Sequence, residues 1–292
     1  MNYQEFLSHI MTTMQDHFKD PASVRLQTVT KNNGTVLDAL LILNPDINIS
    51  PTIFLNPYYH RYLSGVCMDD IYADIIETYE SHRPEENIDI TFFTDFDKAK
   101  GRIVYRLVNY SRNEELLKDI PHYRFLDFAI IFHCLLSSGE DDYATILIHN
   151  SHMDYWGIPK HTLYALAKAN TPFLLPYQLC SMLDLVADML PSDADYSTLQ
   201  PMYILSNKGR VNGASCILYD GLLAAIAKQL GSDFIVIPSS IHEVILIPVA
   251  NCSEITAYSA MVTEVNDTQL SDDEVLSDHA YYYERAKGVL AM

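Results

Sequence analysis

Phe234-Ile235-Val236-Ile237-Pro238-Ser239-Ser240-Ile241-His242-Glu243-Val244-Ile245-Leu246-Ile247 contains two four-residue apolar runs split by one polar turn. Short apolar runs rich in β-branched residues and bounded by Pro and Ser read as buried strands. Just upstream, 214–230 has helical apolar spacing and stops at Gly231, a residue suited to the positive φ of a helix end. Before that, 202–205 reads as a further strand. These lengths suit a crossover between two parallel strands of one sheet. The loops at 207–212 and 238–242 then leave the same sheet edge, where open sheets commonly bind ligands.

The rest of the chain extends this pattern. Phe6, Leu7, Ile10, Met11, Met14 and Phe18 predict a helix that ends before Pro21. Runs 24–29 and 36–41 flank Lys31-Asn32-Asn33-Gly34, a hairpin signal because Asn-Gly tolerates positive φ. A strand at 52–55 ends at Pro57, and 68–82 returns to helical spacing. In the middle, 102–108 alternates like a strand, with a helix as the alternative, and 114–119 is a short helix closed by Pro121. Runs 125–136 and 144–149 form a second hairpin around Ser137-Ser138-Gly139-Glu140. A helix covers 160–170, with Pro159 near its start and Pro172 after its end. Another spans 253–265, before an acidic turn and Tyr281-Tyr282-Tyr283. The expectation is an α+β fold with mixed sheets built from helix–hairpin–helix units. It divides into regions 1–95, 96–190 and 191–292, or forms one continuous globule, with 191–201 as the best linker.

Composition narrows the function. The 292 residues carry 38 acids against 19 bases, a formal net charge of −19, and residues 229–284 hold ten acids with no Lys or Arg. Nucleic-acid binding at physiological salt depends on cationic side chains, so this balance disfavours it. No run approaches the roughly 20 apolar residues of a membrane-spanning helix. The start, Met1-Asn2-Tyr3-Gln4-Glu5, lacks a basic leader. Cys67, Cys134, Cys180, Cys216 and Cys252 are odd in number and widely spaced, as expected of reduced thiols in the cytoplasm.

The sequence contains no GxGxxG and no GxxxxGK[ST]. Gly213-Ala214-Ser215-Cys216-Ile217 lacks the second glycine of a nucleophile elbow, and His242-Glu243 lacks the second histidine of a zincin helix. Three polar clusters remain. In the first, His149, His152, Asp154 and Trp156 lie close enough for acid–base or metal chemistry. However, Ser151-x-x-Asp154 also matches a helix capping box, and Trp156 suits a core anchor. In the second, Asn207-Lys208-Gly209-Arg210-Val211-Asn212 precedes a helix start. There Asn212 is a natural N-cap and Arg210 would favour an anion. The third is Ser239, Ser240, His242 and Glu243. For the last two clusters an ordinary loop is the plainer reading.

Asn56-Pro57-Tyr58-Tyr59, the 102–109 segment, Asn207-Lys208-Gly209-Arg210-Val211-Asn212-Gly213-Ala214 and 238–248 together resemble an uncharacterised bacterial family, domain of unknown function 5688. The resemblance covers nearly the whole chain and implies no activity, substrate or catalytic residue. The leading expectation is a bacterial cytoplasmic protein acting as a non-catalytic binding or regulatory module. Its ligand is an unidentified small molecule or protein, held by Asn207, Arg210, Asn212, Ser239, Ser240, His242 and Glu243, without cofactor, metal or membrane. Whether it is an enzyme is left open: the rival is a hydrolase using His242 with Glu243 or Ser240, aided by His149 or His152. A third reading is an acidic interaction protein for a basic partner.

Overall fold

The computed structural model describes residues 1–19, 22–83, 87, 91–138, 143–186 and 199–292. The expected linker therefore lies, through residue 198, outside the described residues, as does the turn of the second hairpin from 139 onward. Two compact units emerge: Met1–Lys31 with Thr35–Ile90, and Asn32–Gly34 with Thr91–Met292.

The first unit opens with α1 (Tyr3–His17), started by a capping box: Asn2 accepts from the Glu5 amide and Glu5 accepts from the Asn2 amide. The apolar stripe of α1, Phe6, Leu7, Ile10 and Met14, is buried. It packs with Leu40 and Ile42 of β2 (Val36–Leu43), which pairs antiparallel with β1 (Ser23–Thr30) and with β3 (Thr52–Phe54). α3 (Met68–His82) completes this core through Ile71, Ile75 and Tyr79. Helix α2 (Asn56–Leu63) was not expected: Pro57 occupies its first turn, where a missing N–H carries no penalty.

The second unit contains two sheets. In the smaller, β6 (Phe128–Ser138) pairs along one edge with β4 (Ile103–Asn109). Its other edge pairs first with β5 (His122–Phe125) and then with β7 (Tyr143–Leu147). β5 is a further unexpected element; its turn uses Leu126 at φ 55°, which no Gly or Asn announces. Next come α4 (Asn150–Trp156) and α5 (Lys160–Leu174). α5 runs through Pro172 instead of ending before it. Pro172 sits in the last turn, and the Leu175 amide closes the helix on the Thr171 carbonyl at 2.8 Å.

The larger sheet has the order β13-β12-β10-β11-β9-β8, formed by β8 (Tyr177–Ser181), β9 (Tyr203–Asn207), β10 (Asp233–Pro238), β11 (Val244–Val249), β12 (Tyr281–Glu284) and β13 (Val289–Ala291). Every described strand pair is antiparallel, where mixed sheets were expected. β9 and β10 are not neighbours, because β11 lies between them and pairs with both. Two antiparallel steps leave β9 and β10 pointing the same way, so both chain exits lie on one edge. The continuous apolar runs have a cause in burial on both faces. Phe234, Val236, Val244 and Leu246 enter the main core with Tyr105, Phe132 and Leu205. Ile235, Ile237 and Ile247 pack with Val262 of α7 (Ile255–Gln269).

The helix expected over 214–230 is broken. Gly213–Leu218 is a 3-10 segment, Tyr219 is extended, and Gly221 at φ 71° precedes α6 (Leu222–Leu230). Gly231 ends α6 at φ 75°, as read from the sequence.

Candidate functional site

The loop after β9 is built on a buried amide. Asn207 is 1% exposed; its Nδ2 donates to the Val211 carbonyl at 2.7 Å and its Oδ1 accepts from the Val211 amide at 3.3 Å. The Arg210 amide donates to the Asn207 carbonyl, closing a tight turn in which Arg210 and Asn212 hold φ of 51° and 54°. Arg210 is exposed, and its guanidinium has no partner among the described residues. Asn212 is not the helix cap expected from its position. It is left-handed, makes no capping bond, and precedes only six residues of 3-10 helix. Its side chain instead lies close to the phenol of Tyr143. The helix-dipole argument for an anion at this point is thereby removed.

Ser239–Glu243 is the connection between β10 and β11, and it meets the 207–212 loop directly. The Asn212 amide donates to Nδ1 of His242 at 3.2 Å, and Ser206 Oγ donates to the His242 carbonyl at 2.7 Å. Gly213 permits this contact: a Cβ there would stand 2.1 Å from Ser206 Oγ and 2.6 Å from the His242 carbonyl oxygen. With Nδ1 accepting, the neutral ring carries its proton on Nε2. That nitrogen lies 3.8 Å from Glu274, a carboxylate the sequence reading missed. Glu274 arrives on the loop before β12, where its carbonyl accepts from the Ile241 amide at 2.9 Å.

The hydrolase partners are arranged otherwise. Ser240 is buried, and its Oγ accepts from the backbone amide of His242 at 3.0 Å. Glu243 contributes its carbonyl to the Ser240 amide, and the carboxylate near His242 is that of Glu274. Burial pushes the Cys134 thiol up to about 11 and the Cys216 thiol up to about 12, leaving both protonated at neutral pH.

Within the 149–156 cluster most polar contacts are local to the helix start and its neighbours. The cap of α4 is His149, two residues before the expected Ser151, because Ile148 still bonds back to β6 and the helix starts at once. His152 Nδ1 accepts from the His149 amide at 3.0 Å, and His149 Nδ1 pairs with Asp119 at 2.7 Å. Asp154 is exposed, and its carboxylate has no partner among the described residues. Trp156 donates to the Phe93 carbonyl at 3.0 Å and packs on Phe93 and Phe96. Burial, then the neighbouring His149, lowers the His152 pKa against the opposite pull of Asp119. Among the described residues no three His, Cys, Asp or Glu side chains stand together as a metal site.

Two further residues were missed. Arg106 is the one position of β4 that is not fully buried, and its Nε is screened from water with no partner among the described residues. His133 is 4% exposed, and neither ring nitrogen has a partner among the described residues. The available signal was a lone Arg inside Ile103-Val104-Tyr105-Arg106-Leu107-Val108. The first unit also holds a polar cavity of about 570 Å³ beside Asp46 and Arg83, which none of the sequence candidates lines.

A family model matches residues 3–285. The chain belongs to the family of unknown function DUF5688. No curated protein and no solved structure matches this DUF5688 chain. No helix among its described residues is long and apolar enough to cross a membrane.

Proposed function

We propose that the protein is a non-catalytic binding module whose rim, made by the 207–212 and 239–243 loops, holds a small polar ligand through an anionic group. The observation that carries this reading is the bond from the Asn212 amide to His242 Nδ1. It ties the imidazole, as an Nε2–H donor, to the loop that carries Arg210, which is exposed and without a side-chain partner among the described residues. The same bond argues against general-base catalysis, since the nitrogen that would take a proton already accepts one. Glu274 near Nε2 favours ligands that present a donor next to the anion and disfavours a bare polyanion.

The test is a thermal-shift screen of the full chain against a metabolite panel, since a ligand that prefers the native state raises its melting temperature. For a stabilising anionic metabolite, Arg210→Ala is expected to weaken affinity about 10-fold, roughly 1.4 kcal/mol, with the unfolding curve otherwise unchanged. Equal affinity for wild type and variant overturns the reading. The acidic stretch 229–284 supports a second reading, a basic partner, whose association would weaken steeply with salt.

A further inference from the structure

Side chains alternate across a strand, so the pairing register fixes which residues of the smaller sheet share a face. Val104 lies opposite His133 and Arg106 opposite Ile131. Arg106 and His133 are therefore diagonal neighbours on one face, their Cβ atoms about 7 Å apart. His133 also lies opposite Leu147, which puts Tyr143, four residues earlier in β7, on that same face. Tyr143 packs here with Val104, Leu135 and Leu175.

These groups are short of acceptors. Arg106 has no ion pair and no hydrogen bond among the described residues, and its Nε is closed to water. Its terminal nitrogens, also unpaired, are not closed off, so the guanidinium reaches space that admits a water-sized group. His133 is buried, with both nitrogens unpaired among the described residues. Asp119, the partner of the His149 that acts on His133, is already engaged by that histidine. Burial first, then Arg106 and His149, keep the His133 imidazole neutral, so it offers one N–H. Leaving a largely buried charge without a counter-charge costs several kcal/mol. Water would satisfy the imidazole but would not neutralise the guanidinium, whereas an oxyanion does both. Its paired oxygens also match the guanidinium fork.

We propose that Arg106, His133 and Tyr143 form a second site, taking a small oxyanion, carboxylate or phosphate, between the guanidinium, the imidazole and the phenol. This site uses none of the side chains that carry the rim reading, although Asn212 lies close to Tyr143. It stands if Arg210 proves irrelevant.

The experiment titrates the full chain at pH 7.5 with inorganic phosphate and, separately, with acetate, chloride holding the ionic strength constant. Imidazole nitrogen resonances and melting temperature are the readouts, with His133→Asn assigning the signal. The expected result is a saturable shift of the His133 nitrogens with one of the two anions. At a hundred times Kd the melting temperature rises by about 5 °C or more. Arg106→Gln should weaken the response at least 10-fold, while Arg210→Ala leaves it intact. Phosphate alone acting identifies a phosphate site, and acetate alone a carboxylate site. His133 nitrogens that stay unmoved, a response that chloride reproduces, or an undiminished response in Arg106→Gln overturns the proposal. If Arg106→Gln fails to fold, the saturable His133 shift in the native chain decides by itself.

Discussion

At the scale of single residues, His133 gives the sharpest expectation. Its native pKa lies well below 6.5, so as pH falls through about 6.5 the unfolded chain takes up a proton that the native chain refuses. Stability is therefore full above that pH and declines below it, by up to about 1.4 kcal/mol per pH unit from this one group. Urea unfolding at pH 7.5, 6 and 5 should show this decline in wild type and a shallower one in His133→Asn; parallel slopes would contradict the assignment. Gly213 gives the second expectation. Its missing Cβ lets β9, the following loop and the His242 carbonyl converge, so Gly213→Ala should cost about 3 kcal/mol, the upper end of overpacking. Denaturation midpoints read this directly, and a loss below about 0.5 kcal/mol would mean that the loops are not so closely apposed.

Sequence alone did not reveal these sites. A lone arginine within an alternating strand reads as a solvated face, and only register discloses the buried His133 beside it. Asn207, Arg210 and His242 were legible as candidates because polar residues in short loops between buried strands stand out. Glu274 was not, since it comes from a loop 32 positions away in sequence from His242. Sequence carries no sign of such a pairing.

At the scale of elements, local patterns succeeded where one physical cause dominates. The α1 stripe, the Asn-Gly hairpin and the paired runs of β10 and β11 formed as their spacing and turn residues dictate. The stretch 214–230 failed because apolar periodicity continues across Tyr219-Asp220-Gly221 while the backbone does not. The αL conformation of Gly221 interrupts it. Replacing that residue by Ala places a side chain at positive φ and should cost about 1–2 kcal/mol. Thermal unfolding of Gly221→Ala with circular dichroism checks both parts. A stabilised variant with more helix would show instead that the break is optional. Sheet order was also beyond local reading: the parallel relation of β9 and β10 holds, but through β11 placed between them.

At the scale of the whole molecule, charge is the dominant feature. A net charge of −19 sets like charges against one another in the folded state, and salt screens them over roughly 10 Å at 0.1 M. The melting temperature should rise by a few degrees between 10 and 150 mM sodium chloride and then level off. A fall over that range would indicate that attractive ion pairs outweigh the repulsion. The exposed pairs give little reason to expect that, being mostly i,i+3 contacts such as Lys100–Asp97 and Lys118–Glu115.

The most direct test of the binding account is an amide-resolved titration of the full chain with the strongest stabilising anionic metabolite from the thermal screen, in wild type and in Arg210→Ala. The amides of 207–212 and 239–243 should shift together and saturate at one Kd, about 10-fold weaker in the variant. Shifts confined to other segments, or the same Kd in both proteins, would contradict it.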